Sequence, residues 1–382
     1  MKNIRWIIAI LFTLSATHTF AQYADDDVTV NDKRKNKDIF KDKEKNKTKD
    51  LDSGKVAHIT LPDPNTNPDE KTATPINISG IQIINAVGDS SLLGYVQTGM
   101  FNRWKPAAFD KPFTEYLQSY VDQRYQSIYK KDAAPLILVI QEIRIGERTF
   151  SMSERSFLHF KALSFAGDNN GKYTQIGSLD TILTKGGMDV THKHGENIVA
   201  ALQILLARNP VQTPETYTLD EVKEKTAARL HVPGLQEKAH PDGIYLTFQE
   251  FLDDKPSITD AEYEMESNIV RFFHKDSTGS KTYIDKFWGV RKNGALAKQY
   301  DYGALLPIEQ KQHSIYLTNY LSMSRRNNAA MIWAPAVGGI AGAAIAGSVA
   351  AGTMPMVENI PYIKKKAPFA TRVDIETGEL AL

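Results

Sequence analysis

Leu136-Ile-Leu-Val-Ile140 is a continuous run of large aliphatic residues that directly follows Pro135. An apolar run without polar alternation is typical of a strand that is covered on both of its faces. The run therefore predicts a central strand, around which the first folded unit of the chain is built.

Regular elements flank this central strand on both sides. An earlier strand is followed by a helix with apolar residues at helical spacing, for which we expect Asp110 to be the N-cap. Two further strands come next, over 155–165 and 172–184, and a closing helix carries an apolar stripe from Ile198 to Leu206. The order β-α-β-β-β-α predicts an α+β sandwich over 76–210, with its helices on one face of the sheet.

A second unit follows over 211–382. Thr218-Leu-Asp-Glu221 has the capping-box pattern that opens a helix, and Thr247 with Glu250 repeats that pattern. Asn293-Gly294 is typical of a type I′ hairpin turn. Strands are predicted over four ranges, 268–274, 282–291, 313–321 and 371–376. The pattern predicts an antiparallel, β-rich domain with short helices, so the chain as a whole is predicted to be α+β with two domains.

The N-terminus has the pattern of a secretory signal peptide. Lys2 and Arg5 precede an apolar stretch over 6–14, and Ala21 occupies the cleavage position. We therefore expect residues 1–21 to be removed on export. The chain contains no cysteine, which excludes disulfides, thiolate metal sites, cysteine nucleophiles and the lipid-bearing cysteine of a lipoprotein.

Residues 22–75 are predicted to be a disordered, charged linker. Between Asn31 and Asp50 there are nine Lys/Arg and five Asp/Glu residues, and such a stretch cannot bury enough apolar surface to offset its chain entropy. A solvated spacer is favoured over a basic tether for anionic surfaces, because acidic residues alternate with the lysines. The net charge of +1 gives no global field for nucleic acid, so no nucleic-acid partner is expected.

Two stretches resemble known families of the bacterial envelope. Gly88-Asp-Ser-Ser-Leu-Leu-Gly-Tyr-Val96 is similar to the region of YajG-type periplasmic proteins in which a turn of the Asp-Ser-Arg type follows the first strand, although Ser91 replaces the arginine. In the second half, 242–257, 287–290 and 374–378 resemble a family of uncharacterised secreted or envelope proteins of Gram-negative bacteria. These resemblances imply a fold and a compartment, the periplasm or the outer membrane, and imply no activity.

Residues 329–357 form an uncharged segment rich in glycine and alanine. Four of its glycines lie on a stripe of small residues that allows close helix contact: Gly338, Gly339, Gly342 and Gly347. Three interpretations remain open, namely contact with a membrane, burial in a homo-oligomer, and a surface loop. If the strand over 371–376 pairs with the strand over 313–321, both ends of the segment lie on one side of any membrane.

The best metal candidate is the group His192, His194 and Glu196, which follows Asp189. Zinc needs three or four ligands that converge on one point, whereas two residues of helix turn His192 and His194 apart by about 200°. We therefore predict a helix start with Thr191 or Asp189 as N-cap, and no metal or other cofactor. A third histidine ligand, such as His159, cannot be deduced from the sequence.

No recognisable pattern identifies a catalytic residue. A Gly-x-Ser-x-Gly nucleophile elbow is absent from the chain. The sequence therefore favours a non-catalytic structural or interaction protein of the cell envelope, with envelope proteins or polymers as partners. The alternative is a metal-dependent or carbohydrate-active hydrolase of envelope polymer, which would bring several of these four residues together in one pocket: His159, His192, His194 and Glu196.

Overall fold

The computed structural model describes residues 56–65, 77–98, 103–150, 153–168, 170–208, 215–266, 269–300, 304–320, 355–358 and 367–382. All of them belong to one compact unit, Leu51–Leu382. The predicted signal peptide over 1–21, most of the predicted linker and the four glycines of the 329–357 segment lie outside the described residues. Predictions about them stay predictions.

The first sheet comes almost entirely from the N-terminal half. Its strands run in the order β1-β4-β3-β5-β6-β7-β8, and β2 pairs with β5. The bounds are β1 Ala57–His58, β2 Ile78–Asn85, β3 Gly94–Thr98, β4 Arg103–Ala108, β5 Ala134–Phe150, β6 Ser153–Gly167, β7 Tyr173–Gly187 and β8 Thr216–Tyr217, with helices α1 Phe113–Tyr125 and α2 Lys193–Ala207.

The predicted central strand is confirmed. β5 pairs with β2 and β3 on one side and with β6 on the other, and Ile137 to Ile140 are fully buried. Its side chains alternate between two cores, as strand geometry requires. Leu138 and Ile140 belong to the core that includes α1 and α2, whereas Ile137 and Val139 pack with Val222 of the next helix, α3 (Leu219–Ala227).

Two details of the first unit differ from the prediction. The hairpin of β3 and β4 lies between β2 and α1, so the order β-α-β-β-β-α is incomplete. These short strands contain Gly94 and Pro106, residues that are uncommon within strands and that interrupt the alternation of apolar and polar side chains by which a strand is recognised. In addition, Asp110 is not the N-cap of α1, because that helix begins after Pro112 without a side-chain cap.

The linker prediction is wrong for residues 56–65. β1 pairs with β4, and Ile59 and Leu61 are buried in the main core. The apolar pair at 59 and 61 comes after the charged run over 31–50 and is enough to hold an extended segment on the fold.

The second half forms two antiparallel sheets, and the α+β class is confirmed. One sheet has the order β10-β11-β12 and the other β18-β17-β16-β15-β14-β13-β9. The bounds are β9 Gly243–Tyr245, β10 Glu262–Glu266, β11 Ile269–Lys275, β12 Lys281–Ile284, β13 Gly289–Lys292, β14 Ala295–Gln299, β15 Leu305–Lys311, β16 Ser314–Leu317, β17 Arg372–Val373 and β18 Leu380–Ala381, with helix α4 Phe248–Leu252.

Two of the sequence patterns in this half are confirmed, and one predicted strand is wrong. The capping box of Thr218 and Glu221 is confirmed, and Asn293 and Gly294 both have positive φ, as a type I′ turn requires. The single strand predicted over 282–291 is wrong, because the chain leaves one sheet after β12 and enters the other at β13. Phe287 and Trp288 lie in the connection between the two sheets, and their side chains pack into different cores.

Candidate functional site

A buried ionic network joins the first sheet to the larger sheet of the second half. It consists of Asp89, Glu142, Arg144, Tyr316 and Arg372, with Lys311 at its edge. The first three come from the N-terminal half, and the others lie on β15, β16 and β17. These polar side chains therefore hold together the two halves of the described fold.

Asp89 is fully buried and lies in the turn that follows β2. Its Oδ1 accepts hydrogen bonds from the backbone N–H and hydroxyl of Ser91, at 2.9 and 2.6 Å. Its Oδ2 accepts the Tyr316 hydroxyl at 3.0 Å and pairs with Lys311 Nζ at 2.9 Å. The turn after β2 is thus tied by a side chain to both β15 and β16.

Glu142 lies between two arginines. Its Oε1 is 3.1 Å from Arg144 Nε, on the same strand, and its Oε2 is 3.1 Å from Arg372 Nη2, on β17. Arg144 also donates to the carbonyl oxygens of Asp89, at 2.9 Å, and Leu92. Because each carboxylate oxygen has a cationic neighbour, the buried charges compensate one another.

The pKa directions agree with this compensation. Burial by itself raises the pKa of Glu142, but Arg372 and Arg144 outweigh it, so the pKa lies below its usual value. Burial is likewise the largest influence on Asp89, and the hydrogen bonds from Ser91 and Lys311 still bring its pKa below the usual value. Both carboxyl groups are therefore ionised at neutral pH.

This arrangement is suited to holding sheets together. The acids Asp89 and Glu142 face the bases Arg144, Arg372 and Lys311, and each contacts protein partners. A general acid or base needs an accessible proton and a substrate within hydrogen-bond reach. Buried groups that already neutralise each other do not offer either.

The structure does not bring His192, His194 and Glu196 together. His194 Nε2 is 2.8 Å from Glu147 Oε1, and both side chains are fully buried. His192 is exposed and precedes α2 as its N-cap, so the predicted caps Thr191 and Asp189 are wrong. Glu196 pairs with Lys185 and Lys193. Within the described residues, no group of three or more histidine, aspartate or glutamate side chains could hold a metal ion.

Glu196 and His159 have local partners of their own. Glu196 is 2.7 Å from Lys185 and 3.2 Å from Lys193, and the hydrogen bond from Lys185 is the main reason that its pKa is lowered. His159 Nε2 is 2.8 Å from Asp180 Oδ1, and this hydrogen bond lowers the pKa of Asp180. His159 and His194 lie on opposite faces of the first sheet, since Leu158 and Phe160 face the helices. The gathering expected of a hydrolase is therefore not found for these four residues.

Sequence reasoning missed the ionic network, although one signal was present. Glu142 and Arg144 interrupt β5, a strand that is otherwise apolar from Leu136 to Ile145 apart from Gln141. Charges within a buried strand imply a partner across the interface, because an unpaired buried charge is costly. The partner itself, Arg372, is 230 positions from Glu142 in the sequence, and no local pattern connects them.

The strands before and after the 329–357 segment pair with each other, which is the condition considered in the sequence analysis. β16 lies antiparallel to β17, with Ile315 opposite Val373 and Tyr316 opposite Arg372. The chain is already back on the fold at Pro355, whose carbonyl oxygen accepts the Ala370 N–H at 2.8 Å. Tyr320 and Pro355, the described residues on either side of 321–354, therefore both belong to the folded unit that contains this sheet. Among the described residues, no helix has the length and apolar character needed to cross a membrane.

The fold and the network together define an α+β protein whose halves are joined by buried ion pairs. Comparison of the chain with protein-family models, curated proteins and solved structures finds no match. The resemblances to envelope families accordingly stay predictions.

Proposed function

We propose that this protein is a non-catalytic structural or interaction protein of the cell envelope, which contacts a membrane or a second copy of itself through residues 329–357. It would be exported to the periplasm or the outer membrane of a Gram-negative bacterium. Other envelope proteins or polymers would be its further partners.

The pairing of β16 with β17 is the observation that carries this proposal. It places the strand before the 321–354 stretch next to the strand that follows it, in one sheet. The residues over 329–357 are uncharged and rich in glycine and alanine. A segment held in this way can enter a membrane as a hairpin or pack against another copy, while the folded unit stays in one compartment. Small residues at four-residue spacing favour close backbone contact in both cases.

The ionic network supports the non-catalytic part of the proposal. Its charged side chains form ion pairs that join the two halves. The candidate metal ligands His194 and Glu196 also pair with other side chains of the protein. Charged side chains with structural partners favour a scaffold over an enzyme.

Cell fractionation with carbonate extraction tests the proposal, combined with sedimentation velocity of the purified protein. Gly342→Leu places a bulky side chain on the stripe of small residues and should release the protein from membranes or reduce its oligomer size. Gly80→Leu is the matched control, because a Cβ atom at Gly80 would have open space, with no heavy atom within 4 Å. Unchanged extraction and sedimentation profiles for Gly342→Leu would contradict the proposal.

A further inference from the structure

Residues 57–64 form an extended segment at the edge of the first sheet. β1 pairs in parallel with β4, with Ala57 opposite Ala107 and His58 opposite Ala108. Without β1, β4 would itself be the edge strand in the order β1-β4-β3. An open strand edge offers unpaired backbone groups to any extended chain that can reach it.

Three hydrogen bonds between this segment and the rest of the folded unit involve the backbone of the segment. The Ile59 N–H donates to the Ala108 carbonyl oxygen at 2.9 Å, and the Leu61 N–H donates to the Tyr116 hydroxyl at 3.0 Å. The Pro64 carbonyl oxygen accepts from Arg124 Nη1 at 3.0 Å. Recognition through the backbone is typical of sites that accept an extended peptide at a sheet edge.

The side chains of the segment alternate between the core and the solvent. Ile59 and Leu61 are buried, with 2% and 6% exposure, whereas His58 and Thr60 are exposed. The two buried side chains enter the core that contains α1 and α2. The groove formed by β4, α1 and Gly195 of α2, in which the segment lies, thus accommodates two apolar side chains spaced two residues apart.

Gly195 leaves the space in which the backbone of the segment lies against α2. A Cβ atom at this position on α2 would lie 2.1 Å from the Thr60 carbonyl oxygen, which is far inside contact distance. The absence of a side chain lets the backbone of the segment lie directly against the helix. Gly195 is therefore needed for seating the segment, and not for the backbone conformation of α2.

We propose that this groove, formed by β4, α1 and Gly195 of α2, is a strand-exchange site, in which residues 57–64 of a second copy of this chain can replace the chain's own segment. The same residues fit the same groove, so the partner's contacts would reproduce those within one chain. The connection over 66–76 reaches roughly 36–40 Å at full extension, which allows the segment to be passed to a neighbouring copy. The proposal does not use residues 329–357 and does not depend on the proposed function.

The intramolecular arrangement is expected to dominate in dilute wild-type protein. A short tether holds its own segment at an effective concentration on the order of millimolar, so a second copy competes only when the intramolecular segment is weakened or the protein is concentrated. The informative variants therefore change either the segment over 57–64, which is the donor, or the groove that receives it, and leave the other unchanged.

The test uses two full-length variants. Ile59→Ser combined with Leu61→Ser weakens the donor and leaves the groove intact, whereas Gly195→Ala blocks the groove and leaves the donor intact. Sedimentation velocity of each variant alone, and of their equimolar mixture, should show a one-to-one complex only in the mixture. Two separate species in the mixture, with both variants folded by circular dichroism, would overturn the proposal.

A synthetic peptide of residues 56–65 provides the second measurement. It should bind the donor-weakened variant, and a peptide with serine at both apolar positions should bind at least about 100-fold more weakly. If the donor-weakened variant fails to fold, hydrogen exchange of the wild type decides. The amides of Ile59 and Leu61 should exchange faster than those of β5, and equal rates would show that the segment does not leave its groove.

Discussion

Arg372 and Glu142 approach each other across the boundary between the two halves of the fold, with Nη2 and Oε2 3.1 Å apart and side-chain exposures of 1% and 7%. Glu142 also contacts Arg144 on its own strand, so one carboxylate bridges two guanidinium groups. Attraction at this depth is only weakly screened by salt, but it is offset by the cost of removing the charges from water. Removal of one member alone should therefore be far more damaging than the net contribution of the pair suggests.

The first prediction follows from this pair. Arg372→Met should lower the free energy of unfolding by about 3–5 kcal/mol, because Glu142 would remain buried after losing one of its two ion-pair partners and would keep the pair with Arg144. Urea denaturation measures the change. Lys223→Met is the control, since its ion pair with Asp220 is exposed to solvent, and its denaturation midpoint should not move. Equal effects of the two substitutions would contradict the structural role of the network.

The second prediction concerns acid. The pKa values of Asp89, Glu142 and Asp374 are lowered in the folded protein, and burial, the largest influence on each, opposes that shift. Their contribution to stability is therefore complete above the unfolded-state pKa values of about 4 and is lost as the pH falls through the lower folded-state values. Urea denaturation from pH 7 to pH 3 should show this loss below about pH 4. The Glu142→Gln variant should show a weaker dependence, and an unchanged dependence would count against this assignment.

The third prediction separates the two histidines. His194→Leu should cost about 2–3 kcal/mol, because the buried Glu147 carboxylate would lose its hydrogen bond to His194 and, within the described residues, keep the one from the Gln97 N–H at 2.6 Å. His192→Leu should change stability by less than about 0.5 kcal/mol, since His192 is exposed. Elemental analysis of the purified protein should find no stoichiometric zinc. Zinc that is lost in His192→Ala would overturn the prediction that no metal binds here.

The fourth prediction concerns Trp288. Its indole Nε1–H donates to the Gly378 carbonyl oxygen at 3.0 Å, and its ring lies 4.7 Å from that of Phe251. Trp288→Phe should keep most of the packing and cost about 1–2 kcal/mol, whereas Trp288→Ala should cost about 3–5 kcal/mol. Thermal denaturation of both variants checks the order. Similar losses of stability in the two variants would mean that the indole hydrogen bond contributes more to stability than the packing of the ring does.

The fifth prediction concerns export. The signal-peptide pattern over 1–21 predicts that the exported protein begins at Gln22. N-terminal sequencing of protein recovered from the envelope fraction is the measurement. Recovery of chains that still begin at Met1 would show that the segment is retained as an anchor.

Elements with strong local signals could be predicted from the sequence. The apolar run over 136–140 identified the central strand, the capping box at Thr218 identified the start of α3, and Asn293-Gly294 identified a hairpin turn. Short strands such as β3 and β4 could not be predicted in the same way. They are stabilised by pairing with each other and with β5, and not by a pattern within their own few residues.

The sequence by itself determined the α+β class, the central strand and the absence of any cysteine chemistry, because these depend on composition and on periodicities that are local along the chain. The tertiary structure decided which charges meet. Glu142 gains Arg372, His194 gains Glu147, and Thr60 lies against Gly195 because strand pairing and helix packing bring distant segments together. Such contacts depend on the three-dimensional register of whole elements, and a side chain's own neighbours in sequence do not contain that information.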